Sequence, residues 1–316
     1  MDLPAVKLTI TSPSPTTPSD PPPVSPYLPT PPPEALLPSS LAAVYVPTPI
    51  HPTALAYAKT KFARVIPSHE MSPEEAWPLT NGVICRANLI TREMLDKEGK
   101  LMGLAIVGVG YDSIDIEGCK EKGVTLMNCP GENSQVVAEL TLSLTLALLR
   151  RVPELDRRLR AGETMLSINN LGRTLRGKVV GMVGISATAR RAAAIFHHAF
   201  DCTIRTFSPT SPPTRWSPSH PSGPLPHTRH SSLSSMLPLI DILTLHCPLT
   251  PSSRNMISTG QLRMMKKGSV LVNLSRGVVV DEVALADELR REQNDDAGVR
   301  RVWGAASDVF VVEPIR

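Results

Sequence analysis

GKVVGMVGISATARRAAAIFHHAFDCTIRTFS, residues 177–208, decides the fold. Residues 178–183 are a short valine-rich apolar run, the pattern of a strand buried on both faces of a parallel sheet. Gly184 follows at once, and 188–200 then runs alanine-rich without glycine or proline, so it propagates as a helix. Residues 202–207 return to a strand pattern. Strand, glycine turn, helix, strand is a βαβ unit, and the rest of the chain is read outward from it.

The turn matters chemically because N–H groups at a helix N-terminus point outward and the helix dipole favours negative charge there. The usual phosphate-cradling spelling is G-x-G-x-x-G, with alanine permitted third. Here the three positions are Gly184, Ser186 and Ala189, so the second glycine is a serine. Its hydroxyl is able to bond a phosphate, and its bulk is able to push a ligand away. The stretch alone leaves both open, together with an ordinary βαβ unit that holds nothing.

Charge is nearly balanced over the 316 residues, 33 basic against 29 acidic, and no basic run is clustered. Nucleic-acid and membrane-surface binding therefore have no electrostatic footprint. Cys85, Cys119, Cys129, Cys202 and Cys247 are odd in number, widely spaced and mostly set in apolar runs, a pattern of buried free thiols in a reducing compartment. No C-x-x-C or Cys/His spacing suggests a metal. The first residues carry no basic region followed by an apolar stretch, and the run 136–149 is interrupted by Glu139 and too short to span a bilayer. The expectation is a soluble, cytoplasmic protein.

Residues 1–40 are dense in Pro, Ser and Thr and read as a disordered leader. From Leu41 the composition turns globular, with strand patterns at 42–46, 64–66, 82–86, 103–107 and 124–128 and helix patterns at 53–62 and 91–98, an alternation that means an open parallel sheet. The fourth of these strands ends in Gly108, Val109, Gly110, Tyr111 and Asp112, where backbone amides can turn outward toward an anion. A helix over 135–151 is apolar on nearly all sides and is expected to be buried between two domains, with the crossing near residue 133. Beyond the central unit, 209–233 reads as a surface insertion, 239–247 as a strand, 261–267 as a helix, 269–273 as a strand, 282–292 as a helix, 292–301 as a polar loop and 303–309 as a strand.

Two stretches in the first half and three in the second, beside the turn at Gly184, resemble one family. GVGYDSIDI (108–116) with NCPGENSQVVAE (128–139), then HCPLT (246–250), and MKKGSVLVNLSRGVVVDEVAL (265–285) leading to GAASDVFVVEP (304–314), are similar to the D-isomer-specific 2-hydroxyacid dehydrogenases. That family includes phosphoglycerate dehydrogenase, glyoxylate/hydroxypyruvate reductase, formate dehydrogenase and the C-terminal-binding corepressors. The match covers about residues 80–315. It implies an α/β protein: a Rossmann-type NAD(P)-binding domain over 133–316 and a smaller flavodoxin-like substrate domain, incomplete, over 41–132.

The resemblance further implies hydride transfer between a nicotinamide and the carbonyl carbon of a small 2-oxo acid. Arg276 stands where the family holds the substrate carboxylate and carbonyl oxygen with a guanidinium, and Glu313 where a glutamate tunes the histidine that donates the proton. Ser186, Ala187, Thr188 and Ala189 fall with Gly184 on the pyrophosphate turn. Pro248, Leu274 and Ser275 fall along the cofactor cleft, and Asp308 at the nicotinamide carboxamide. The amides of Val109 and Gly110, with Arg86, are expected at the substrate carboxylate. His246 is placed as a strand-end residue shaping the cleft rather than as the acid.

Two positions depart from the family. Where an aspartate often holds the adenosine ribose the chain has Ser208, with Thr210 and Arg215 nearby, which leaves NADP open beside NAD. The sequence stops at Arg316, before the family's histidine position, and all eight histidines lie upstream. The expectations that follow are a poor catalyst or inactive fragment of an enzymatic family, with a nucleotide-binding regulatory protein of the corepressor kind as the alternative. A homodimer is compatible with the apolar helix near Leu140.

Overall fold

A computed structural model describes residues 41–86, 88–97, 100–219, 223–291 and 301–313. The leader expected over 1–40 and all but the last residue of the polar loop expected over 292–301 lie outside the described residues.

Two parallel sheets carry the chain. The first holds β1 (Ala43–Val46), β2 (Arg64–Pro67), β3 (Gly82–Cys85), β4 (Gly103–Ile106) and β5 (Thr125–Met127) in the order β2-β1-β3-β4-β5. Its crossovers are α1 (Pro52–Lys61), α2 (Pro73–Ala76), α3 (Arg92–Asp96) and α4 (Ile116–Glu121). Short helices of this kind need their ends closed. Thr91 accepts from Met94 N–H at the start of α3 and Asp115 from Gly118 N–H at the start of α4. The core of this half is built from Tyr45, Ile66, Trp77, Val83, Leu104, Ile106 and Leu126.

The second half opens with α5 (Ser134–Leu149) and α6 (Val152–Arg160) and continues through β6 (Val179–Val183), α7 (Ala187–Phe200), β7 (Thr203–Phe207), β8 (Thr228–His230), α8 (Leu233–Met236), β9 (Ile242–Leu245), α9 (Thr259–Met264), β10 (Ser269–Asn273), α10 (Glu282–Arg290) and β11 (Val302–Ser307). The order is β11-β10-β9-β6-β7-β8, every pair parallel. Counted within each half, the large sheet runs 3-2-1-4-5-6 and the small one 2-1-3-4-5, the dinucleotide-binding and flavodoxin-like orders of doubly wound α/β folds. One face of the large sheet packs Val180, Met182, Ile204, Ile242 and Val270 under α7, and the other packs Val183, Leu243, Leu245 and Leu271 under the later helices. Each such side chain contributes about 1.5–3 kcal/mol when fully buried.

Two expectations are corrected. The helix over 135–151 is not buried all round and does not run unbroken: α5 ends at Leu149, and Arg151, with φ of 58°, turns the chain into α6. Its buried positions are Ser134, Ala138, Thr141, Thr145 and Leu149, and the small side chains of the first four let α7 approach. The Thr141 and Thr145 hydroxyls satisfy themselves on the carbonyls four residues back, each at 2.7 Å. Of its larger apolar side chains, Val136 is 66% exposed, while Leu142, Leu146 and Leu148 are half-buried against the core. The stretch 209–233 is not a surface insertion alone. Trp216 and Leu225 are buried in the core above α7, and β8 closes the sheet by pairing with β7. The alanines of α7 at 189, 192 and 193 leave the volume that the indole fills. Among the described residues no helix is long and apolar enough to cross a membrane.

Candidate active site

In doubly wound sheets the crevice forms at the carboxyl ends, where neighbouring strands send their chains to opposite sides. In the large sheet that point lies between β6 and β9. Gly184 ends β6 with φ of 92°, and a Cβ there would stand 2.7 Å from the His246 carbonyl oxygen at the end of β9. Only glycine fits both conditions.

Ser186 is the N-cap of α7: its Oγ accepts from Ala189 N–H at 3.2 Å. The serine at the degraded position is thus committed to the helix. Ala187 is exposed at the first turn, Thr188 Oγ1 donates to Ser134 Oγ at 3.3 Å, and Ala189 is buried. Among the described residues neither Ala187 N–H nor Thr188 N–H has an acceptor.

Ser208 ends β7, nearly buried, its Oγ paired with Ser211 Oγ at 2.8 Å. Arg229 reaches over from β8 and donates to the carbonyls of Ser208, Ser211 and Pro212. Arg215 Nε donates to the Ile185 carbonyl at 3.2 Å, so the loops after β6 and β7 are tied together. Beyond β9, Pro248 offers its carbonyl to Ser253 Oγ at 2.9 Å. Cys247 is pushed up to about 11 by burial.

His246 is buried, burial pulls its imidazole down to about 4, and Nε2 has no partner. Its place at the end of β9 is that of a strand-end residue. The unfolded chain takes up a proton near pH 6.5 and the folded chain only near 4, so the unfolded state binds more protons between those values. Stability should therefore be unaffected by this group above pH 6.5 and fall by about 1.4 kcal/mol for each pH unit below it until pH 4. Urea unfolding at pH 7, 5.5 and 4.5 should show this slope, and His246→Gln should flatten it; parallel curves for the two proteins would refute the assignment.

The turn after β10 presents Arg276. Asn273 Oδ1 accepts from Ser275 N–H at 3.0 Å and Ser275 Oγ at 2.9 Å, while its Nδ2 donates to the Arg276 carbonyl at 3.0 Å. One buried amide therefore fixes Leu274, Ser275 and the backbone of Arg276. The guanidinium crosses to the other sheet. Nε and Nη2 reach Asp112 Oδ1 at 2.9 and 2.8 Å, and Nη1 donates to the Ser275 carbonyl at 2.8 Å. It lies so close to Gly110 that a Cβ at that position would overlap Nη2.

On the small-sheet side, Val109 is partly exposed and its carbonyl accepts from Asn128 Nδ2 at 2.8 Å. Arg86 stands exposed at the end of β3, with no side-chain partner among the described residues. Segment 308–313 closes the other flank. The backbone of Phe310 and Val311 packs onto Gly277 where no Cβ could stand, and Glu282 Oε1 accepts from Val311 N–H at 2.9 Å. Glu313 is exposed, its carboxylate accepting from Phe310 N–H at 2.8 Å. No ion pair joins it to Arg276 among the described residues. Asp308 N–H reaches the Asn273 carbonyl. The residue is exposed, yet partial burial of its carboxyl and then the Glu313 charge hold that carboxyl above the usual range.

Arg276, Gly110 and Val109 are thus brought together across the cleft, and Asp308 and Glu313 lie along one wall. Asp112, Asn273, Gly277 and Glu282 were not singled out from the sequence. Asp112 had a signal, a carboxylate two residues after the second of the paired glycines; the other three had none that separates them from ordinary strand, turn and helix residues. Among the described residues no three His, Cys, Asp or Glu side chains lie close enough to hold a metal ion.

The sequence model described as D-isomer specific 2-hydroxyacid dehydrogenase, NAD binding domain, matches residues 142–316. D-3-phosphoglycerate dehydrogenase of Methanocaldococcus jannaschii is 32% identical over 232 residues, 73% of this chain and 41% of that protein. Hydroxypyruvate reductase of Thermotoga maritima is 31% identical over 236 residues, 73% of this chain and 69% of that protein. A crystal structure of a Thermus thermophilus protein superposes with a TM-score of 0.73 at 28% identity, covering 87% of this chain and 84% of that one. The chain spans less than half the length of the first of these relatives. By the extent of the match and the order of both sheets, the chain belongs to the D-isomer specific 2-hydroxyacid dehydrogenase family.

Proposed function

We propose that this chain is an oxidoreductase acting on the CH–OH group of a small D-2-hydroxy acid, or on the corresponding 2-oxo acid, with NAD or NADP as partner. The observation that carries the reading is the guanidinium of Arg276, laid against Gly110 of one sheet from the turn after β10 of the other. A fixed, always-charged fork between the carboxyl ends of β10 and β4 suits a carboxylate beside a polarised carbonyl.

The residues fit a dinucleotide. Gly184 keeps the approach to the α7 N-terminus open, and the unpaired amides of Ala187 and Thr188 suit a pyrophosphate, with Ser186 and Ala189 shaping the turn. Ser208 takes the adenosine ribose, Pro248, Leu274 and Ser275 line the cleft, and Asp308 takes the carboxamide. When bound, the nicotinamide supplies or accepts the hydride. Val109 and Gly110 amides, with Arg86, receive the substrate carboxylate; Arg276 stabilises the oxygen on which charge develops; Glu313 orients the proton donor. Ser208 carries no carboxylate to repel a 2′-phosphate, and the Arg229 charge is held beside it, so both cofactors are accommodated.

The same reading divides the chain at 132/133 into a substrate domain over 41–132 and a cofactor domain over 133–316. It places a second copy on the exposed apolar arm around α5 and α6, where Val136, Val152, Leu159, Leu166, Ile168 and Leu171 stand outward. A reducing, cytoplasmic setting agrees with the five free thiols.

The experiment is thermal unfolding with NADH, NADPH and ADP-ribose, followed by reduction assays on glyoxylate and hydroxypyruvate. A ligand at a hundred times its Kd adds about 2.7 kcal/mol. At about 2–4 °C per kcal/mol for domains of this size, a rise in Tm of roughly 5–10 °C is expected from at least one nucleotide. No stabilisation by any of the three would end the reading.

A further inference from the structure

A guanidinium has five N–H groups. In Arg276, Nε and Nη2 share Asp112 Oδ1, and Nη1 gives one hydrogen to the Ser275 carbonyl. One N–H on each terminal nitrogen is left without an acceptor among the described residues. Two N–H groups on neighbouring nitrogens are what a carboxylate, or a carboxylate oxygen beside a carbonyl oxygen, accepts as a fork. The anchors come from opposite halves of the molecule: Asp112 follows β4 of the small sheet, and Ser275 follows β10 of the large one. Gly110 completes the socket, since any side chain there would occupy the place of the guanidinium.

From this geometry we infer that Asp112 is a positioning residue: it turns Arg276 so that its terminal fork faces the cleft, and only when the two sheets stand close together. The pair is partly open to solvent, with side-chain exposures of 37% for Arg276 and 30% for Asp112, so it adds little to stability. Its effect is on direction. Without Asp112 the long side chain regains its rotamers, and the Ser275 carbonyl alone holds one nitrogen. With Asp112 the guanidinium plane is fixed by three bonds, and the site for the 2-oxo acid is assembled from both halves of the molecule. The inference rests on the reading of Arg276 as the substrate's partner.

The test uses the full chain, Asp112→Ala and Asp112→Asn, with two readouts. Oxamate, an unreactive 2-oxo acid mimic, is titrated in the presence of ADP-ribose, and amide hydrogen exchange is followed at 108–112 and 274–278. Asp112→Ala should weaken oxamate at least about tenfold, with Asp112→Asn in between because it keeps one acceptor. ADP-ribose affinity should stay within about twofold. Exchange at 274–278, on the other sheet from the substitution, should quicken about tenfold in Asp112→Ala. Equal or tighter oxamate binding would overturn the inference, the tighter result meaning that Asp112 competes with the substrate. If the parent chain does not bind oxamate at all, the 2-oxo acid reading fails; the exchange readout then decides alone, and no change at 274–278 overturns the positioning role. If Asp112→Ala loses ADP-ribose binding, Asp112→Asn is judged by the same criteria at half the effect.

Discussion

Arg276→Lys should lower kcat/KM for glyoxylate or hydroxypyruvate by about 10²–10³-fold, the loss seen when one preorganised donor to a developing oxyanion is removed. NADH affinity should stay within about twofold, since the side chain leaves the turn toward Asp112 and the small sheet, away from the α7 N-terminus. Lysine keeps the charge but not the plane. Its single ammonium cannot meet Asp112 Oδ1 and the Ser275 carbonyl together and still offer two parallel N–H groups outward. The substitution therefore separates charge from geometry at one position. Were the lysine protein to keep activity within about threefold, a point charge would suffice and the fork would have no role. A protein that instead lost NADH binding would place Arg276 in the cofactor site. The turn itself should survive, because Asn273 holds it through Ser275 and the Arg276 carbonyl rather than through the guanidinium.

The unit 177–208 was legible almost to the residue because its signals are local: a valine run, one glycine, an alanine-rich helix without breakers. That both sheets are parallel follows from the same alternation repeated, whereas their strand orders come only with the family resemblance. Ser186 leaves a phosphate contact and a steric block both open in the sequence, yet a serine three residues before a buried helical alanine also has the spacing of a helix cap, which is what the structure uses. Composition makes residues 209–233 a surface insertion, because prolines and serines conceal Trp216, which seats in the core; its place depends on the alanines of α7. The helix after residue 133 shows the converse. Apolar on most sides, it reads as buried, yet the face that α7 covers is the one built from Ser, Ala and Thr, because close approach selects for size. The glycine turn marks the place of Asp112 but not its role, since its partner lies 164 residues away after a strand of the other sheet and neither residue's neighbours announce the other. The family resemblance supplied the positions of Arg276 and Glu313, but not that the Glu313 carboxylate caps its own turn.

Gly184→Val should both destabilise the large sheet and abolish stabilisation by NADH and NADPH. Two costs add. A β-branched residue at φ of 92° is strained by about 1–3 kcal/mol, and forcing its Cβ to within 2.7 Å of the His246 carbonyl oxygen adds overpacking of about 1–3 kcal/mol. The neighbour cannot yield cheaply. It is backbone, with the His246 carbonyl carbon at 2.9 Å and the Cys247 nitrogen at 3.1 Å, and His246 N–H is bonded to the Val183 carbonyl at 2.8 Å. Any shift that relieves the clash moves the ends of β6 and β9 apart and carries the N-terminus of α7 with them. The control is Ser186→Gly, which restores the usual spelling of the turn. Removing this cap in favour of glycine should cost only a few tenths of a kcal/mol and leave nucleotide binding intact, because the Oγ serves Ala189 N–H and not the outward amides. Urea titration with and without nucleotide distinguishes the two variants. If Gly184→Val still bound NADH while Ser186→Gly did not, the phosphate cradle would have to lie elsewhere than the start of α7.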